Sequence, residues 1–177
     1  MAIAPAQTGS SSTPVTRGMG DMHLRITGEK QGKIKGESNA KGYEGDIVIN
    51  TWSFGVSVPR QGDGSLNATG RRSYSELSIT KNHDMSTTAL LNAAATNETL
   101  KEVRLSMRKA LSGQEDYFIV TLTNARITRI AHDVTKDGGV LEAVDIGFFK
   151  IDVEYKQQLA GGARGGAFMF SDELLAV

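Results

Sequence analysis

The sequence predicts a mainly β domain, a barrel or sandwich with one helix at its side. Three observations carry this. Seven or eight runs alternate apolar and polar residues with period two, and a single stretch has helical spacing instead. Two long runs, 44–58 and 141–156, change the parity of their apolar residues partway along, so each needs burial on both faces.

Residues 1–20 are rich in Ala, Ser, Thr, Gly and Pro without period and read as a disordered leader. Asp21–Thr27 alternates, with Met22, Leu24 and Ile26 inward and His23 and Arg25 outward. Gly28–Tyr43 holds four glycines and four lysines without an apolar period; a connection this long is uncommon unless it has a task. Glu44–Val58 carries the only Trp. Ile47 and Ile49 share one parity there, and Trp52, Phe54, Val56 and Val58 take the other. Either a bulge at Asn50–Thr51 restores a single face, or the strand bends and buries its halves against different neighbours. Pro59 stops the pairing.

A second long connection, Arg60–Ser73, precedes a short strand around Leu77 and Ile79. Ser86 can cap a helix in which Leu90, Leu91, Ala94 and Ala95 make one apolar stripe, ending near Thr96 and Asn97. Val103, Leu105 and Met107 mark the next strand, and Phe118, Val120 and Leu122 the one after. Ile127–Val134 is expected as another, turned back by Asp137, Gly138 and Gly139 into the last long strand, Leu141–Lys156. In that strand Val144, Ile146 and Phe148 oppose Phe149, Ile151, Val153 and Tyr155 in parity. Whichever parity does not face the core needs the helix or another copy of the chain. Trp52, Phe54, Val56, Phe149, Ile151, Val153 and Tyr155 are therefore core or subunit-interface candidates. The glycine-rich joint 161–166 leads to an apolar tail in which Phe168, Phe170 and Leu174 are expected to dock on the barrel or a neighbour.

Composition narrows the function. Lys+Arg and Asp+Glu are both 20, so no global charge calls for nucleic acid or an anionic membrane. With no Cys, thiolate metal sites and a cysteine nucleophile are excluded. No stretch is apolar enough to span a bilayer, and the start lacks the basic and apolar regions of a secretory signal. The three histidines, His23, His83 and His132, are scattered without HExxH spacing, so no metal is expected. His83 and Asp84 read as part of a helix cap rather than a dyad. No serine sits in a GxSxG setting, and 161–166 lacks the Lys-Ser/Thr of a phosphate loop; neither catalysis nor a cofactor is expected. The basic cluster Lys30, Lys33, Lys35 and Lys41 is interrupted by Glu29 and Glu37 and has no interleaved aromatics, which favours a solvated or protein-contacting loop.

An ordered series of segments spans nearly all of 21–156. It comprises Asp21–Ile26, Gly36-Glu37-Ser38, Gly45–Ile49 running into Trp52-Ser53-Phe54-Gly55, Leu77–Lys81, Asp84–Ala95, the strand to Arg108-Lys109, and Phe149–Tyr155. In this series the chain resembles the Hcp family, the haemolysin-coregulated proteins that form the inner tube of bacterial type VI secretion systems. The resemblance implies a compact β-barrel of two antiparallel sheets with one lateral α-helix over 21–156, between a leader (1–20) and a joint with an apolar tail (157–177). The leader is longer, and the tail end more apolar, than the family usually shows.

It also implies a non-enzymatic subunit of a homohexameric ring. Rings stack inside a contractile sheath and below a spike protein, with effectors held in the lumen. The protein would be cytoplasmic before firing and then secreted without a cleaved signal peptide. A tail-tube protein of a phage or phage-like contractile particle is the alternative with the same architecture. An effector with an enzymatic extension would need about 50 further residues, more than follow Tyr155. A small-ligand barrel would need a closed inner pocket, whereas the doubled apolar faces point outward. Lys33, Lys35, Gly36, Glu37, Ser38, Lys41 and Tyr43 are the candidates for contact between stacked rings, on the expectation that an outside contact must hold their loop.

Overall fold

The computed structural model describes residues 21–58, 71–108, 115–134, 136, 138–158 and 164–174. The expected leader, Pro59, most of Arg60–Ser73, Lys109, Asp137, the first half of the glycine joint and Leu175–Val177 lie outside them. In chain order the elements are β1 (Met22–Gly28), β2 (Gly32–Ile34), β3 (Ile47–Val48), β4 (Thr51–Ser53), β5 (Val56–Ser57), β6 (Ser73–Tyr74) and β7 (Leu77–Asn82). Then come α1 (Ser86–Ala95), β8 (Leu100–Arg108), β9 (Asp116–Val134), β10 (Val140–Gln158) and β11 (Arg164–Glu173). Every strand pair is antiparallel.

The strands β1, β8, β9, β10 and β7 are hydrogen-bonded in that order, and β5 and β6 form a separate two-stranded ribbon. The short stretch 47–53 joins the two ends of the series. β3 pairs β1 through His23↔Val48 and Leu24↔Ile47, and β4 then pairs β7 through Thr51↔Thr80 and Trp52↔Ile79. At the changeover Ile49 N–H donates to Met22 O at 3.2 Å and Asn50 N–H to Thr80 O at 2.7 Å. The pairings thus run around the expected barrel, with β3 and β4 joined through the chain at 49–50 rather than by a ladder of their own. The run 44–58 is thus no long strand: of its two expected forms the bend holds and the bulge does not. Inside the barrel the alternating side chains Leu24, Ile26, Leu105, Val120, Leu122, Val144 and Ile146 are wholly buried.

Other expectations need correction. Gly28–Tyr43 contains β2, which folds back on β1 at Gly32 (φ 67°) and places Ile34 in the core. His23, expected outside, is buried and stacks on Tyr43 with ring centroids 4.5 Å apart. The two strands expected at 117–122 and 127–134 are one, β9, which continues through Asn124 at φ 52°. Its partners Asp145 and Ile146 face Arg129 and Ile127, leaving Thr128 as an extra residue that bends the pair.

The helix has the expected bounds but a shifted face: Ser86, Leu90 and Ala93 are buried, while Leu91 and Ala95 are exposed. Ser86 is not the cap. Its N–H donates to Asp84 Oδ1 at 2.9 Å, so the acceptor lies two residues earlier. At the other end Asn97, at φ 49°, sends its N–H to Ala94 O, and Glu98 N–H reaches Ala93 O, a Schellman closure.

Candidate assembly surfaces

β10 changes neighbours along its length. β9 flanks one edge throughout, but the other edge carries β7 over 141–146 and β11 from 150 onward. The parity switch read in the sequence falls between these two regions. Val144 and Ile146 are buried on one parity, Ile151 on the other, and Phe148 and Phe149 between them are half-buried. The tail is a strand: β11 pairs β10 from Lys150↔Glu173 to Lys156↔Ala167, and Leu174 N–H donates to Phe149 O at 2.7 Å. Composition set 157–177 apart, yet over 164–173 the chain belongs to the same sheet.

That pairing satisfies main chain and leaves side chains bare. Phe168, Met169 and Phe170 are 61%, 77% and 50% exposed, and since successive residues point to opposite faces, both faces of β11 are open. Tyr155, 43% exposed, stacks on Phe168 at 6.5 Å. Among the described residues β11 pairs on one side only, a ten-residue edge with an apolar centre. The end of β11 is pinned by charge. Asp172 accepts from Arg72 and, at 2.7 Å, from the Tyr74 hydroxyl, and first Arg72, then Tyr74, draw its carboxyl down to about 2.

The remaining interface candidates divide. Ile151 belongs to the core, and Trp52, Phe54 and Val153 pack partly buried against it. Trp52 stacks on Phe118 at 5.6 Å and donates Nε1–H to Met107 Sδ at 3.2 Å. Val56 is 55% exposed on the β5–β6 ribbon.

The loop candidates divide as well. Gly36 lies so close to 46–47 that a Cβ would meet Asp46 O at 2.5 Å, which explains a glycine there. Ser38 is buried, with its N–H on Asp46 O at 3.0 Å. The buried Asp46 carboxylate accepts from Arg25 Nη2 at 2.9 Å and pairs with Lys33 Nζ at 2.7 Å. Burial alone would raise this carboxyl; the two cations outweigh it and hold it below the usual range. Tyr43 lies between His23 and Arg108, whose guanidinium is 4.5 Å from its ring centroid, and donates its hydroxyl to Asp116. Burial, then that bond, pushes Tyr43 up to about 12, and burial followed by the Arg108 charge lowers His23. Intramolecular contacts therefore hold the loop, contrary to the expectation that only an outside contact could. Lys35, Glu37 and Lys41 remain exposed, with Glu37 Oε1 accepting from Met85 N–H at 3.1 Å.

Sequence reasoning missed three polar arrangements. Glu98 is buried under the β1–β2 turn, where Oε1 accepts from the N–H groups of Lys30 and Gln31 at 2.7 and 2.9 Å. Lys81 and Glu142 are wholly buried and paired at 2.9 Å, with Asp84 2.9 Å from the same ammonium. Period two placed both in the core beside apolar neighbours, and only their charge argued otherwise. His83 and His132, expected far apart, meet with 2.8 Å between Nε2 and Nδ1. No GxSxG or phosphate-loop signal existed to be found.

Comparison with known proteins gives a consistent result. The family model described as "Type VI secretion system effector, Hcp" matches residues 23–155. The chain is 31% identical over 151 residues to "Protein hcp1" of Pseudomonas aeruginosa, covering 82% of this chain and 89% of that protein. A solved structure of the Hcp1 protein of E. coli EAEC 042 superposes with a TM-score of 0.72 at 25% identity, covering 86% of this chain and 98% of that one. Another, titled a type six secretion system protein, reaches 0.78 at 19% identity over 88% and 96% of the two chains.

Proposed function

The chain belongs to the Hcp family of type VI secretion proteins, and from that premise we propose that it closes a ring by seating the β10–β11 hairpin of one copy on the barrel of the next. It is a structural tube protein, not an enzyme, and the family match favours type VI secretion over a phage-like particle. The observation that carries the ring contact is the exposure of Phe168, Met169 and Phe170 on both faces of one strand. Each such side chain gains about 1.5–3 kcal/mol when buried, and an unpaired apolar edge invites a second chain. A head-to-tail contact of this kind yields a closed ring when its rotation closes.

The ring is a homohexamer in this reading, and rings stack through the exposed charges Lys35, Glu37 and Lys41. Spike protein, sheath and lumenal effectors are the partners, and the protein leaves the cytoplasm when the sheath contracts, without a cleaved signal. No helix among the described residues is long and apolar enough to cross a membrane. Light scattering after size exclusion should give six chain masses for the native protein and one for the Phe168→Ser/Phe170→Ser variant. A native monomer, or a variant that still forms hexamers, would overturn the assignment. The stacking contact is tested separately: Lys35→Glu/Lys41→Glu should leave rings intact and shorten tubes seen by electron microscopy. Unchanged tubes would remove the loop from that interface.

A further inference from the structure

We propose that His83, His132 and Glu142 form a binding site for a divalent late first-row cation of the Zn²⁺ class, each residue giving one ligand atom. This goes beyond the assembly reading and does not depend on it. The sheet register builds the site. His132 on β9 stands opposite Glu142 on β10, and Glu142 stands opposite Lys81 on β7. Two residues beyond Lys81, where the chain leaves β7 for α1, is His83. Three separate elements thus bring their donors within 4.8 Å of one another.

Two independent features point to a ligand. The imidazole nitrogens His83 Nε2 and His132 Nδ1 are 2.8 Å apart, with the rings edge to face. With metal–nitrogen bonds of about 2.0–2.1 Å, neighbouring ligand nitrogens lie about 2.9–3.4 Å apart, so the pair needs little opening to admit an ion. Without an ion the two nitrogens share one proton. The second feature is Glu142. It is wholly buried; Oε2 accepts from Lys81 Nζ at 2.9 Å and from the Thr87 hydroxyl at 2.7 Å, while Oε1 is buried with no partner. Buried carboxylate oxygens without a partner are uncommon, and a cation would complete this one.

The local charge suits a cation. Lys81 lies 2.9 Å from both Asp84 and Glu142, so one cation is shared by two carboxylates and the group carries an excess negative charge. Two imidazoles and one carboxylate select Zn²⁺, Ni²⁺ or Cu²⁺ over Mg²⁺ or Ca²⁺, which prefer all-oxygen sites. Both histidines are exposed, so their rings can move toward the fixed carboxylate, and water can fill the remaining coordination positions.

The test is calorimetric titration of the untagged full chain, stripped with chelator, with ZnCl₂. One Zn²⁺ per subunit is expected, confirmed by elemental analysis after dialysis. His83→Gln and His132→Gln should each weaken binding at least tenfold while circular dichroism stays native. Because Glu142 also holds Lys81, Glu142→Gln can fail to fold; the two exposed histidines keep the test decisive. With only three histidines in the chain, imidazole proton resonances offer a second readout: those of His83 and His132 should shift on Zn²⁺ addition and those of His23 should not. Melting temperature should rise with Zn²⁺ in the native chain and stay fixed in the variants. Binding well below one equivalent, or variants that bind as tightly as the native chain, would overturn the proposal.

Discussion

The two halves of β10 have similar apolar content, but the strands beside them on the changing edge, β7 and β11, have opposite fates. Over 141–146 the strand lies between β9 and β7, and Val144 and Ile146 are wholly shielded from solvent. Over 150–156 it lies between β9 and β11, and the apolar residues of β11 stand exposed. Beside the first half the apolar residues of β7 are used by the fold; beside the second, where Ile151 is still buried, β11 carries apolar residues that one folded copy leaves unused. Hydrophobicity alone does not tell core from interface. What separates them is whether the sheet closes around the strand.

The comparison can be broken by mutation, and the largest effect belongs to the closed half. Glu142→Ala leaves the Lys81 ammonium buried with only Asp84 as a charged partner and should cost about 3–5 kcal/mol of unfolding free energy by urea titration. Replacing both members together, Lys81→Met with Glu142→Leu, should recover most of it. Ile146→Ala opens a cavity in the same half and should cost about 2–5 kcal/mol.

Charge pairs extend the contrast. Asp46 is buried with Arg25 and Lys33, and its carboxyl is depressed below its unfolded value of about 3.9. It therefore contributes stability above that pH, and the contribution fades as pH falls through the folded value. Asp46→Asn should lower the urea midpoint at pH 7 more than at pH 3. An equal loss at both pH values would show that packing, not ionisation, is at stake. Arg72→Ala removes the solvent-exposed partner of Asp172 on the hairpin and should lower the urea midpoint less than Asp46→Asn does, and less still in high salt.

The smallest effect on folding is the most informative. Phe168→Ser/Phe170→Ser should change the stability of an isolated chain by about 1 kcal/mol or less, because in one copy both side chains stay at least half exposed and Phe168 stacks only on the exposed Tyr155. The same change should abolish the ring. A large loss of monomer stability would mean that the hairpin is part of the core and would erase the distinction between the halves.

Much of the fold was legible because it is written in local periodicity. β1, β7, β8 and the glycine turn at 138 follow from alternation and turn chemistry within a few residues, and the helix bounds from spacing. What was not legible depends on residues distant in sequence. His23 has an outward position in its strand and is buried because Tyr43, from a loop twenty residues on, covers it. The helix face is rotated: Ser86, expected as the cap, is buried with Leu90 and Ala93, its N–H held by Asp84. Asn124 falls between the two strands expected at 117–122 and 127–134, yet an asparagine tolerates positive φ and lets β9 run on. Of the candidate surfaces, the apolar tail was visible as composition. Its pairing with β10 was hidden by the glycine joint, which gives no register.

The changeover at Asn50 has a kinetic consequence. A barrel whose first strand pairs with residues 100–107, and whose closing stretch needs both Met22 and Thr80, cannot be completed by any local hairpin. Such distant pairings must meet the entropy of closing long loops before their contacts are rewarded, so folding is slow for a chain of this length. During synthesis, β7 waits for β10 to emerge before its second edge is filled. Until then the half-made sheet keeps apolar edges open to any second chain.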